Sequence, residues 1–511
     1  MLNFLRALCL VLFAAVAFVP ANALAAPRAH VDTGTLQGVT RNGVRAFLGV
    51  PFAAPPVGAL RWRGPQPHAS WSGVRAAQSF GPSCMQTELP NGVGPWTAEF
   101  FPHGAVSEDC LYLNVWAPNA RSRTRLPIMV WIPGGGFRNG SGSVPIYDGA
   151  ALAQRGIIVV TLNYRVGAFG FLAHPDLAPE PDGGIGNYGV RDVLAALRWL
   201  QINAAAFGGD PERVTIVGQS AGGVVVHALL ASPQGRGLFA GAIIQSSPLA
   251  FRTGDRTAAA EAGAAFMSDL GATSIEALRA IPAARVLEAS DRASFRPIVD
   301  GVVLPVDPGA NIRTGPYNDV PTLTGIVAHE TRTRFDLAGY QADSASRDGD
   351  ASADFLALYP ASSDAEALEA GLESDRDRVL VGLGAWAQAR ANRAPTYLYL
   401  WTHAEPGPEA ALHRAFHSSE LAYVFGTFAA SPQRSFTAQD RSISETMQLY
   451  WTNFIKTGDP NGAGLPAWPR ASGDSAPIME LGDRFAPLTP ITPERRAFFA
   501  RSFERSGAFA F

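Results

Sequence analysis

Val214-Thr-Ile-Val-Gly-Gln-Ser-Ala-Gly-Gly223 decides the reading of this chain. A β-branched run from Val214 to Val217 passes directly into Gly218-Gln-Ser-Ala-Gly222, so a strand must turn sharply into a helix around Ser220. Such a turn holds its middle residue in strained backbone geometry and tolerates only small neighbours. Gly218, Gly222 and Gly223 supply the room. The turn lifts the Ser220 hydroxyl above the sheet and aims the Ala221 amide, at the start of the next helix, at the place where a developing oxyanion would sit.

A serine hydroxyl attacks only when a base takes its proton and an acid orients that base, in the chain order serine, acid, histidine for this kind of turn. Downstream, Thr322-Leu-Thr-Gly-Ile-Val327 reads as a buried strand followed within three residues by Glu330, with Asp336 as the competing acid. A second strand-like run, Thr396-Tyr-Leu-Tyr-Leu-Trp401, precedes His403, His413 and His417, and spacing leaves all three open as the base. Upstream, Pro127-Ile-Met-Val-Trp-Ile132 runs into Pro133-Gly134-Gly135-Gly136-Phe137. Glycines after a strand let backbone N–H groups turn toward a substrate, the second set of donors that an oxyanion needs.

With these residues in view, the chain resembles the type B carboxylesterase/lipase family, the cholinesterase-like branch of the α/β-hydrolases, in its bacterial para-nitrobenzyl-esterase-like form. Phe47-Leu-Gly-Val-Pro-Phe-Ala-Ala-Pro-Pro56, Ser107-Glu-Asp-Cys-Leu-Tyr-Leu-Asn-Val-Trp116, Gly134-Gly-Gly-Phe137, Asn163-Tyr-Arg165, Phe207-Gly-Gly-Asp-Pro211, Gly218-Gln-Ser-Ala-Gly-Gly223 and Thr457-Gly-Asp-Pro460 carry the resemblance over nearly all of the mature chain. It implies an α/β-hydrolase fold: a mixed, mostly parallel sheet flanked by helices. Helical insertions would cover the site, from about Ala258 to Ala293. It also selects Glu330, in Gly325-x-x-x-x-Glu330, and His417, in His417-x-x-Glu420 before Tyr423-Val-Phe-Gly426, over Asp336, His403 and His413. Carried over residue by residue, the oxyanion donors would be the amides of Gly135, Gly136 and Ala221, and the chemistry carboxylic ester hydrolysis through an acyl-serine.

The same resemblance implies a disulfide between Cys84 and Cys110; inside the loop, Trp96, Phe100 and Phe101 form an aromatic cluster that is a candidate either for the mouth of the gorge or for packing within the loop. Phe137 is a candidate for the substrate pocket together with Trp96, and Ala293 and Phe295 would fall near the acyl pocket, where a small residue at 293 makes room for bulky or aromatic acyl groups. Arg165 and Glu108 lie in motifs that resemble a structural ion pair. Gln219 departs from the glutamate that many members carry before the nucleophile, which makes a pocket for cationic alcohols, and hence a choline ester, a poor expectation.

Residues 1–25 read as a secretory signal, with Arg6 ahead of an apolar run from Ala7 to Val19 and cleavage after Ala25. That leaves residues 26–511 as one α/β-hydrolase domain, exported to the periplasm or beyond the cell, with Cys84 and Cys110 the remaining cysteines. A 47% hydrophobic, 17% charged composition suits a large buried core, and the net charge of -3 argues against nucleic acid or anionic membranes as partners. No cofactor or metal is expected, since Gly208-Gly209-Asp210-Pro211 lacks the Lys and Ser/Thr of a phosphate loop and no ligand cluster stands out. Asn139-Gly-Ser141 is a glycosylation sequon by pattern, where a glycan would block the site. Two rival readings are an amidase or peptidase using the same residues, and a non-catalytic binding protein of the same fold, which the intact serine, acid, histidine and glycine loop oppose.

Overall fold

The computed structural model describes residues 26–119, 122–177, 181, 184–247, 254–311, 318–330, 336–390, 393–472 and 476–506; the expected signal lies outside them. Among the described residues the largest sheet has eleven strands. From one edge their order is Ala486–Leu488, Ile478–Leu481, Thr396–Trp401, Thr322–Val327, Gly241–Gln245, Gly209–Gln219, Leu126–Ile132, Ile158–Leu162, Tyr112–Pro118, Val44–Pro51 and Val39–Arg41. The run from Ile478–Leu481 to Ile158–Leu162 is parallel throughout, and the flanking strands pair antiparallel. This is the mixed, mostly parallel sheet of the α/β-hydrolase fold.

Strands covered on both faces read as unbroken apolar runs, and these do. Every residue of Ile158–Leu162, Gly241–Gln245, Thr322–Val327 and Thr396–Trp401 is buried. The pleat sends alternate side chains to opposite faces: Ile128, Val130 and Ile132 enter one hydrophobic core, and Met129 and Trp131 the other. Helices Tyr188–Phe207 and Ala221–Ala231 fill the first side, and Ala438–Thr457 the second. The last of these begins in a capping box between Thr437 and Asp440 and stops at Gly458, whose φ of 77° is the left-handed conformation glycine adopts freely. No helix among the described residues is long and apolar enough to cross a membrane.

The expected insertion forms three helices, Arg256–Asp269, Ile275–Ala280 and Ala283–Ser290. Their last turn leads to Asp291 and Ala293, whose carbonyls accept hydrogen bonds from the Arg138 guanidinium at 2.9 Å each. The insertion is thereby fastened to the glycine loop.

The charged pair expected of Arg165 and Glu108 is corrected by the structure into two separate pairs. Arg165 makes a bidentate contact with the fully buried Asp192, at 2.8 and 2.7 Å, and Glu108 pairs with Arg61 at 2.6 and 2.5 Å. Each carboxylate takes two donors from one guanidinium, which satisfies a buried charge better than one shared contact.

Cys84 and Cys110 form a disulfide, 26 residues apart. Closing a loop of that length restricts the unfolded chain, so replacing both cysteines by serine should lower unfolding stability by about 3 kcal/mol, read from urea or guanidinium unfolding.

Candidate active site

Ser220 ends the strand Gly209–Gln219 and caps the helix Ala221–Ala231, with φ 55° and ψ -126°. No ordinary L-residue rests there without strain, on the order of 1–3 kcal/mol. The neighbours explain how the turn closes. A Cβ on Gly218 would stand 2.4 Å from the Gly222 carbonyl, one on Gly222 2.0 Å from that of Ile132, and one on Gly223 2.4 Å from the Ser247 Cβ. The Ser220 amide donates to the Gln245 carbonyl at 2.9 Å, which locks the turn to the next strand.

Glu330 follows the strand Thr322–Val327, and His417 lies beyond its neighbour Thr396–Trp401. Two backbone bonds align the segments that leave these strands: Ala328 N–H donates to the Trp401 carbonyl at 2.8 Å, and His329 N–H to the Ala415 carbonyl at 3.1 Å. With the backbones so pinned, His417 Nδ1 meets Glu330 Oε2, while Glu330 Oε1 accepts from the Val327 amide at 3.0 Å. Both carboxylate oxygens are thus fixed. His403 instead bridges Asp483 and Asp440, His413 lies beside Glu409, and Asp336 caps the helix Leu337–Asp348.

Glu420 sits below this pair, fully buried, accepting from Gln245 and Tyr399 at 2.8 and 3.0 Å. Burial pushes its carboxyl up to about 8, helped by the charge of Glu330, so near neutral pH it stays protonated. It therefore adds no second negative charge beside Glu330.

The glycine loop follows Leu126–Ile132 at the same C-terminal edge, the side on which parallel sheets build their sites. Gly135 and Gly136 have φ of 119° and 62°, and the Gly135 carbonyl accepts from the amides of Arg138 and Asn139 at 3.0 and 3.1 Å. This fold-back closes the turn that follows the glycines. Asn139 lines the cavity, but Ser141 of the sequon is fully buried, in hydrogen bonds with Ser83 and Asn163 at 2.9 Å each.

Ser220, His417, Gly134, Gly135 and Gly136 share a cavity of about 350 Å³ with Trp96, Phe100, Phe101, Tyr147 and Gln219. A neighbouring cavity of about 300 Å³ reaches the other side of Trp96 and His417, together with Glu330, His329 and Arg414. Trp96 donates its indole N–H to Ser418 at 3.2 Å and sets its ring edge-on to Phe416 and His417. Arg434 holds this wall from behind. Its guanidinium reaches Glu99 at 3.0 Å, the Pro95 carbonyl at 2.7 Å and Thr97 at 3.0 Å, and stacks over Phe100 and Phe416.

Three of the expected pocket residues are not among those that line this cavity. Phe137, with a φ of 61°, is 1% exposed and packs edge-on against Phe171 in the core. Phe295 is likewise buried, against Phe266. Ala293 packs on the core's edge and offers its carbonyl to Arg138. Tyr147 lines the cavity without having been marked by any sequence motif; the 3-10 turn Pro145–Tyr147 that carries it has none. Gln219 was legible as unusual, but its neighbour was not: its side-chain nitrogen lies 3.1 Å from His417 Nε2. It is this amide, and not the Ser220 hydroxyl, that lies within hydrogen-bond distance of that nitrogen of His417 among the described residues.

A serine on a strained strand-to-helix turn, a carboxylate-bound histidine and a glycine loop, all at one sheet edge, define a hydrolase of the α/β-hydrolase class. The chain belongs to the carboxylesterase family, whose pattern it matches over residues 25–497, and is a carboxylic ester hydrolase. It is 38% identical over 466 residues to the fumonisin B1 esterase of Sphingopyxis macrogoltabida, with 86% of this chain and 84% of that protein covered. It is 36% identical to the para-nitrobenzyl esterase of Bacillus subtilis (strain 168), covering 85% and 91%. Human cocaine esterase is 34% identical over 84% of this chain and 82% of its own. A solved PNB esterase superposes with a TM-score of 0.78 at 33% identity, over 92% of this chain and 99% of that one.

Proposed function

We propose that this esterase works through an acyl-serine, with Ser220 as nucleophile, His417 as base and then acid, Glu330 as its orienting carboxylate, and the amides of Gly135, Gly136 and Ala221 as oxyanion donors. The contact between Glu330 and His417 Nδ1 is the observation that carries this reading, because a carboxylate on Nδ1 leaves Nε2 as the ring nitrogen that takes a proton. Ser220 Oγ attacks the ester carbonyl as its proton passes to His417 Nε2. The carbonyl electrons move to oxygen, where preorganised N–H groups meet the charge at no reorganisation cost. Collapse breaks the bond to the alcohol, which leaves with the proton from His417. Water then repeats the sequence on the acyl-serine and releases the acid.

The cavity favours uncharged esters with an aromatic group. Trp96, Phe100, Phe101 and Tyr147 offer rings, while Asn139, Gln219 and Ser418 are neutral, and among the described residues no carboxylate lines the cavity to attract a cation. Relatives named for para-nitrobenzyl esters and for cocaine support the same class. The leader at residues 1–25 and the disulfide support export of the mature chain.

Assays on p-nitrophenyl esters from acetate to octanoate and benzoate, on p-nitrobenzyl acetate, and on matched p-nitroanilides test the reading. Esters should be turned over, with the aromatic ones at the lowest KM, and the anilides should be poor. Faster turnover of anilides than of matched esters would make the protein an amidase instead.

A further inference from the structure

The resting contact of His417 Nε2 is with Gln219, and both atoms are nitrogens. An amide nitrogen has no lone pair to offer, so the amide N–H must donate and the ring nitrogen must accept. That contact suits a ring with its proton on Nδ1 toward Glu330 and its lone pair on Nε2. The tautomer is the one a general base requires. Gln219 is 2% exposed, ends the strand that carries Ser220, and pairs in register with Gln245, so its side chain has little freedom to leave.

We propose that Gln219 is a positioning residue that keeps His417 in its base form: the amide holds the imidazole by Nε2 in the resting enzyme and disfavours a proton there. When the serine proton arrives at Nε2, that nitrogen becomes a donor facing an N–H. The amide must then yield or turn its oxygen inward. The device therefore opposes protonation from solvent while the site is empty. It extends the working range of the enzyme toward acid.

The surrounding charges leave that task to Gln219. Glu330 faces Nδ1, on the other side of the ring. Glu420, behind it, is protonated near neutral pH for the reason given above. In the neighbouring cavity, burial and then Arg414 push His329 down to about 4, and Arg414 itself is paired with Glu369 at 2.8 Å. His413 lines the same cavity beside Glu409. Trp96, from the disulfide loop, brings no charge, and Ser220 and Tyr147 bring only hydroxyls.

The inference rests on the proposed roles of Ser220 and His417, so its test includes Ser220→Ala. The measurement is the pH profile of kcat/KM for p-nitrophenyl butyrate, alongside the pH profile of inactivation by a fluorophosphonate, which reports acylation-like attack alone. Gln219→Glu sets a carboxylate against Nε2, and the acidic limb of both profiles should move up by about 1–3 pH units. Gln219→Asn shortens the amide by one methylene, so it no longer reaches the ring. Its kcat should fall with KM little changed, and its acidic limb should move up by a smaller amount. A Gln219→Glu enzyme with an unmoved acidic limb overturns the proposal; if that variant does not fold, a Gln219→Asn enzyme unchanged in both readouts does so. Activity that survives Ser220→Ala overturns the reading of the site itself, a result distinct from either.

Discussion

Replacing Ser220 by alanine should lower kcat by about 10⁶-fold on every ester the enzyme accepts, because nucleophile and base act as a unit and losing either removes the covalent route. The residual rate, about 10³- to 10⁴-fold over water, would come from oxyanion donors and binding alone. The fold should be untouched. Alanine fits the space, and the strained φ of 55° is set by the glycines around it rather than by the hydroxyl. A thermal melt no lower than that of the parent, with ester turnover at background, is the expected pair of results. Glu330→Gln should cost less, on the order of 10⁴-fold, since the base remains and only its orientation and tautomer are compromised. Equal losses for the two variants would mean that Glu330 does more than orient.

Gly135→Ala is expected to reduce kcat by about 10²- to 10³-fold, the range measured when one oxyanion donor is removed. The cause is local and steric. At Gly135 a Cβ would lie 2.2 Å from both the carbonyl oxygen and the side-chain oxygen of Asn139, so the loop must shift and carry its amides with it. Gly136 makes the control. It also has positive φ, but a Cβ there meets nothing within 4 Å, and an alanine pays only the left-handed backbone cost, about 1–2 kcal/mol, chiefly in stability. Steady-state kinetics on both variants should therefore show Gly135→Ala far more damaged in kcat than Gly136→Ala. The reverse order would remove Gly135 from the oxyanion site.

The strands were legible because each is a continuous buried run with one conformation open to it. Thr322–Val327 and Thr396–Trp401 have in the structure the bounds their apolar stretches suggest. The turn at Ser220 was equally legible, since the three small residues around it leave no alternative. Pairings between distant segments were not. Nothing in the residues themselves says that His329 bonds to Ala415, and that backbone bond brings Glu330 to His417 rather than to His413, four residues earlier. The arginine pairings failed for the same reason: Arg61, Arg165, Glu108 and Asp192 are interchangeable until the fold places Arg61 beside Glu108. A ring beside the glycine loop looks like pocket lining, and nothing in the residues says that Phe137 is buried against Phe171.

The aromatic wall and the reacting groups are held by different means. Ser220, Glu330 and the glycine loop leave parallel strands in fixed register, whereas Trp96, Phe100 and Phe101 ride on a separate loop, tied covalently at its base by Cys84 and Cys110 and gripped near its tip by Arg434. That loop is an exchangeable cassette. Substitutions between its two fixings would reshape the wall of the cavity, while Ser220 and Glu330 stay where the sheet puts them. Directed evolution for new substrates has its natural hunting ground between those anchors.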